Sequence, residues 1–173
     1  MTGTGLVNII NGKNLLSWSL LASAMIKEIV CSFDDSFSKE LNQVKLHPGQ
    51  NVVAEIIRNI LSDSKLIRKR EDHLYNGNHI NKNLLTSKIQ EYYSIRCVPQ
   101  ILGPILDTLY QSEKVLLNEA NSSCDNPVID HENQNIYHGG NFHGDYVSFE
   151  MDKLKIAITK LSLLLERQIN YLM

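Results

Sequence analysis

The chain has 173 residues, 43% hydrophobic and 21% charged, with a formal net charge of -2. That balance suits one folded domain and argues against a disordered tail. Lys and Arg are spread along the chain, so no nucleic-acid surface is expected, and no apolar run is long enough to span a membrane.

The first informative stretch is "KNLLSWSLLASAM". Lysine, an apolar run and Ala22-Ser23-Ala24 imitate a secretory leader with its cleavage site. Only Lys13 supplies positive charge, however, and Leu15, Trp18, Ala22, Met25, Ile26 and Ile29 recur at helical spacing, so a helix from about Leu15 to Val30 is the preferred reading. The polar "DDSFSKE" follows, with another brief helix expected near it. "HPGQ", His47 to Gln50, is read as a break, because Pro48 and Gly49 together punctuate a turn. From Asn51 to Leu61 the residues Val52, Val53, Ile56, Ile57, Ile60 and Leu61 form a second amphipathic stripe.

The next segment, from Ser62 to Ser87, is polar, contains Asn76-Gly77 and reads as an exposed excursion. Order returns at Ile89. Pro99 suits the first turn of a helix, where its missing amide costs nothing. Leu102, Ile105, Leu106, Leu109, Leu116 and Leu117 carry that helix onward, with a kink expected at Gly103-Pro104. "CDNPVIDHENQNIYHGG" is turn-rich and has the composition of a short hairpin. The last helix is expected from about Asp145, with Leu154, Ala157, Ile158, Leu161, Leu164, Leu165, Ile169 and Leu172 in one stripe and Ile156 and Leu163 on a second apolar face. Two apolar faces suit the middle of a bundle or a subunit interface. The helix reaches Met173 without a capping residue, so the chain is expected to be part of something longer. The fold class is all-α: a long-helix bundle with a turn-rich loop before the last helix.

Four constellations carry chemical possibilities. Tyr93 and Arg96 are three positions apart and share a face if the turn is helical, which would suit a carboxylate clamp; from the residues alone a surface arginine beside a packed tyrosine is the preferred reading. Asn11, in "IINGKN", offers an amide to a ligand or caps a turn ahead of the first helix. His47 has no visible partner, and Asp125 and Asn126 read as an Asx-type turn. "YHGGNFHGDY" admits three readings: a metal site using His138, His143 and Asp145, a phosphate cradle of backbone amides, or a loop whose glycines permit close approach to a bulky group with Phe142 packed on it. The spacing matches no zinc pattern, and no Walker lysine or dinucleotide fingerprint is present, so no metal is expected. The three cysteines, Cys31, Cys97 and Cys124, have no CxxC spacing and suit reduced thiols in a cytoplasmic protein.

Five blocks, "INGK", "HPGQ", "QEYYSIRCVPQILGP", "NEANSSCDNP" and "GGNFHG", occur in one order. In that order they resemble the aromatic amino acid ammonia-lyase family, which includes histidine, phenylalanine and tyrosine lyases and related aminomutases. The resemblance runs from about Gly5 to Met173 and is weakest between Ser62 and Ser87. It implies that residues 1–173 are the central helical part of a longer homotetrameric enzyme, without the N-terminal region that holds the electrophile and without the C-terminal region. In the family that electrophile is a methylidene-imidazolone ring cyclised from Ala-Ser-Gly, which converts the substrate amine into a leaving group and gives an α,β-unsaturated acid. No Ala-Ser-Gly is present here, and Ala22-Ser23-Ala24 lacks the glycine.

By resemblance, Gln90 and Tyr93 match the "Q-x-x-Y" pair beside the prosthetic ring and Phe142 matches the phenylalanine packed near ring and substrate. These three are the candidate catalytic residues. Arg96 matches the carboxylate-binding arginine and Asn11 the asparagine near the substrate amine and carboxylate, although Lys13 stands where the family usually has threonine. "CVPQILGP" looks closer to phenylalanine and tyrosine lyases than to histidine lyases. The chain by itself is expected not to turn over. The alternative is a non-catalytic truncated paralogue serving as a helical oligomerisation or binding module.

Overall fold

Two glycines seven residues apart on one long helix meet two leucines seven apart on another, and this interlock organises the structure. In the computed structural model, which describes residues 1–74 and 89–173, helix α1 runs Thr2–Ile29, more than three turns longer at its start than the periodicity suggested. A Cβ at Gly5 would stand 2.5 Å from a Leu116 methyl, and one at Gly12 2.8 Å from a Leu109 methyl. The glycines therefore work as a groove that receives the leucines of α6 (Val98–Ala120), a role worth more than the ~1 kcal/mol each costs in helix propensity. Asn11-Gly12 is accordingly mid-helix, and the expected turn before the first helix is not there.

Contacts at Gly5–Leu116 and Gly12–Leu109 set α1 and α6 antiparallel. The last helix, α7 (Asp145–Leu172), runs parallel to α1: Met151 reaches Gly5, Leu154 and Ile158 reach Gly12, and Gln168 reaches Ser23. Ile9, Leu16, Leu20, Leu102, Leu109, Leu116, Leu154, Leu161 and Leu164 form the core between the three.

Helix α3 (Pro48–Ile60) packs on α6, burying Val53, Ala54 and Ile57. Pro48 opens the helix, so "HPGQ" is its first turn and not a free break. The missing amide of proline is harmless there. Gly49 and Gly103 face each other across this crossing: a Cβ at Gly49 would lie 2.3 Å from the Gly103 carbonyl oxygen, and one at Gly103 2.6 Å from Gln50 Cα and N. Between α1 and α3 lie a 3-10 turn (Asp35–Phe37) and α2 (Lys39–Gln43), the brief helix expected, capped by Ser38 Oγ accepting from Leu41 N at 3.2 Å.

The segment after α3 is mostly exposed over its described residues, as expected, but two arginines anchor it to the fold. Phe33 is buried, and the Arg68 and Arg70 guanidinium groups stand 4.4 and 4.2 Å from its ring centroid. Arg70 pairs with Asp35 at 2.6 Å and Arg68 with Glu91 at 3.3 Å, and α4 (Arg70–Leu74) follows. Asn76-Gly77 lies outside the described residues. A four-residue helix, α5 (Tyr93–Arg96), precedes α6, inside which Pro104 sits. The expected hairpin is present: β1 (Val128–Asp130) pairs antiparallel with β2 (Asn135–Tyr137), and Asp130 Oδ1 accepts from the amides of Glu132 and Asn133 at the turn. Asn126-Pro127 is cis.

Candidate functional site

The α5–α6 junction carries the densest polar chemistry. Tyr93 and Arg96 do share a face, with the guanidinium 4.8 Å from the Tyr93 ring centroid, and Tyr93 itself is exposed. Gln90 and Arg96 line one cavity of about 420 Å³ together with Asp35, Ser36, Arg70 and Gln100. Arg70 is engaged by Asp35 and the Ile89 carbonyl, at 2.6 and 2.7 Å. Arg96 is different. Its buried Nε has no hydrogen-bond partner, the buried Gln100 Oε1 has none either, and among the described residues no carboxylate is within ion-pair distance of Arg96. A buried guanidinium donor without an acceptor is costly, and an incoming carboxylate is the group that fits its fork.

Behind this wall lies a residue that the sequence reading missed. Lys27 is fully buried, its Nζ donating to the Ile95 carbonyl at 2.6 Å and to Ser36 Oγ at 3.0 Å, with the Phe37 ring 5.2 Å away. Burial pulls its pKa from the usual 10.5 to about 8, against the opposing pull of Glu91, Asp35 and Cys97. Between those two values the unfolded chain holds more protons than the folded one, so this group makes stability rise with pH through that window. Relative to Lys27→Met, the native chain is expected to gain about 3 kcal/mol between pH 7.5 and 10.5; urea unfolding of both proteins across that range measures it, and a gap that does not move with pH contradicts it. The signal was available: Leu16, Leu20, Ser23 and Lys27 follow helical spacing on one buried stripe.

The other candidates lie elsewhere on the chain. Asn11 is exposed and edges a shallow groove between α1 and α7 with Met151, Leu154 and Ile158. Phe142 is exposed in the loop before α7, which Gly139 N and Asn141 Nδ2 tie to Asn126 Oδ1 and the Ser123 carbonyl at 2.9 and 3.3 Å. Asp125 Oδ1 accepts from the adjacent Asn126 amide at 2.8 Å, a local bond as expected, whereas Asn126 Oδ1 accepts from Gly139 N, thirteen residues on, and ties the loop instead of a local turn. A Cβ at Gly139, Gly140 or Gly144 would meet nothing within 4 Å, so within one chain these glycines approach nothing closely.

The level of each site residue follows from α7. Arg96 sits where Gln168 meets Ser94, Asn11 near Leu154, and Phe142 ahead of Asp145. At 1.5 Å per residue, Arg96 and Phe142 are about 35 Å apart along the bundle, with Asn11 between them. One chain brings Gln90, Tyr93 and Arg96 together; it does not bring Asn11 or Phe142 to them.

Among the described residues no three His, Cys, Asp or Glu side chains are grouped to hold a metal, and no helix is long and apolar enough to cross a membrane. His143 Nδ1 lies 3.4 Å from Asp145 Oδ2, both exposed. All three cysteines are free. Ala22-Ser23-Ala24 is helical, with Ser23 buried against Gln168, a setting in which backbone cyclisation has no room.

Comparison with known proteins decides the family. The family model described as "Aromatic amino acid lyase" matches residues 1–173. The chain belongs to the aromatic amino acid lyase family. It is 39% identical over 178 residues to a tyrosine 2,3-aminomutase of Myxococcus sp. (strain Mx-B0), covering 100% of this chain and 34% of that protein. It is 37% identical to a phenylalanine ammonia-lyase of Nostoc punctiforme, covering 99% of this chain and 29% of the relative. The solved phenylalanine aminomutase of Pantoea agglomerans superposes with a TM-score of 0.92 at 36% identity, over 98% of this chain and 34% of that one. The chain thus spans about a third of the length of these relatives.

Proposed function

We propose that this chain forms part of the substrate-binding wall of an enzyme that eliminates ammonia from an aromatic amino acid, giving an α,β-unsaturated acid. The observation that carries the reading is Arg96: a buried, unpaired guanidinium donor in the wall of a cavity that Gln90 also lines. Arg96 binds the substrate carboxylate, Asn11 contacts amine and carboxylate, Tyr93 and Gln90 stand beside the electrophile, and Phe142 packs against the aromatic ring. Tyrosine or phenylalanine is favoured as substrate over histidine, in line with the relatives named above.

The family's methylidene-imidazolone ring supplies an electrophile that no ordinary side chain offers. Residues 1–173 contain no Ala-Ser-Gly, and the nearest triplet is locked in a helix, so the chain cannot form that group itself. By itself it is inactive. What its own residues do is hold the substrate by its carboxylate and ring, and exclude alternative orientations.

Completion of the site requires other copies. Because Arg96 and Phe142 are at opposite ends of the bundle, an antiparallel neighbour brings one chain's loop to another chain's α5. Exposed apolar residues line the outer faces that would pack: Ile10, Trp18 and Met25 on α1, Phe149, Ile156 and Leu163 on α7. The isolated chain is accordingly expected to self-associate in sedimentation velocity; a stable monomer at micromolar concentration would contradict this.

The reading is tested by sequencing the reading frame upstream of Met1 and assaying the resulting protein. An in-frame Ala-Ser-Gly with release of coumarate or cinnamate supports it; a frame without that triplet favours the non-catalytic module, and urocanate or a β-amino acid changes the substrate or reaction assignment.

A further inference from the structure

A four-residue helix does not hold itself, since one turn fixes more backbone than its few hydrogen bonds stabilise. Helix α5 ends at Arg96, and its last carbonyls need partners from outside. For the Ile95 carbonyl the regular helical donor would be the amide four residues on, but that residue is Pro99, which has none. Lys27 Nζ fills the position at 2.6 Å. The neighbouring Ser94 carbonyl accepts from Gln168 Nε2 at 3.0 Å. Lys27 comes from α1 and Gln168 from α7, and both are fully buried. Two long helices therefore grip consecutive carbonyls of the turn that presents Tyr93 and Arg96.

We propose that Lys27 is a positioning residue for the candidate site: it replaces the amide that Pro99 lacks and so fixes the direction in which Tyr93 and Arg96 leave the α5–α6 junction, with Gln168 as its companion on Ser94. Its bearing on substrate rests on the reading of Arg96 as the carboxylate ligand; the clamp itself rests on the hydrogen bonds alone. A lysine kept only to fill space would be replaceable by a methionine of similar length, which would also remove the burial of a cation. The Ile95 carbonyl is what distinguishes the two roles.

Cys97 reports on the junction, since it follows Arg96, is half-buried and lines the cavity; Cys124, exposed beyond α6, is the internal reference. In the full 173-residue chain, iodoacetamide labelling followed by mass spectrometry gives the ratio of the two rates under native conditions. Lys27→Met is expected to raise the Cys97-to-Cys124 ratio about tenfold, the effect of a buried carbonyl left without a donor. Adding Pro99→Ala gives position 99 an amide within reach of that carbonyl and is expected to return the ratio to the native value, which a space-filling role would not do. An unchanged ratio in Lys27→Met, or no recovery in the double variant, overturns the proposal. If Lys27→Met does not fold, circular dichroism of the double variant decides: regained helicity supports the clamp, and its absence overturns it. Arg96→Lys is expected to leave the ratio unchanged whatever it does to turnover, so the clamp and the carboxylate reading fail separately.

Discussion

Arg96→Lys, in protein that also carries the upstream Ala-Ser-Gly expected of the family, is expected to lower kcat/KM for an aromatic amino acid by about two orders of magnitude. The midpoint of urea unfolding should hardly move. Lysine keeps the charge but loses the planar fork, including the buried Nε for which the chain supplies no acceptor. It also loses the flat face that stacks 4.8 Å from the Tyr93 ring, so the turn presents a mobile point charge where it had presented an oriented pair of donors. A carboxylate bound off-axis by even an ångström places the reacting carbons wrongly, and that is where the rate is lost. Steady-state kinetics with coumarate or cinnamate detected in the ultraviolet make the measurement. Native-like kinetics would remove Arg96 from the site.

Gly103→Ala is expected to destabilise the chain by about 3 kcal/mol, because the added methyl meets backbone and no side chain can move aside. Its Cβ would lie 2.6 Å from Gln50 Cα and N, so α3 and α6 must separate along their crossing. Gly49→Ala meets the Gly103 carbonyl oxygen and the Asp107 carboxyl and should behave alike. Gly139→Ala is the control: nothing lies within 4 Å, and the change should stay within about 0.5 kcal/mol in the isolated chain. Urea unfolding of the three variants makes the comparison, and a Gly103→Ala midpoint equal to that of Gly139→Ala would show that the crossing is looser than described.

These glycines also show where the sequence was legible and where it was not. Helix α7 was readable to within a residue of its start because its apolar positions recur over many turns and Gly144 breaks the pattern before it. The hairpin was readable from turn chemistry, with Asp130 and Asn133 supplying the local bonds. The start of α1 was not, since Asn11-Gly12 in isolation says turn, and only Leu116 and Leu109, the partners of Gly5 and Gly12 on a distant helix, reveal a groove. "HPGQ" misled in the same way: Gly49 is small because Gly103 faces it. Arg68 and Arg70 looked like surface charge until Phe33 appeared beneath them.

The candidate site divides along the same line. Tyr93 and Arg96 are near neighbours in sequence, and their shared face follows from one turn of helix. The place of Lys27 on the buried stripe of α1 was readable, but its role was not, because its partner, the Ile95 carbonyl, is backbone and lacks a donor only through Pro99. Asn11 and Phe142 were open possibilities in the residues and only the resemblance favoured them, and one chain leaves both exposed and remote from Arg96.

The most direct measurement is a crystal structure of the assembled protein with an arylpropenoate bound. The expected result is a carboxylate paired with Arg96 of one copy, with Asn11 and Phe142 supplied to the same pocket by other copies. A bound ligand that touches none of these, with Asn11, Tyr93, Arg96 and Phe142 left on unconnected surfaces of the assembly, would contradict it.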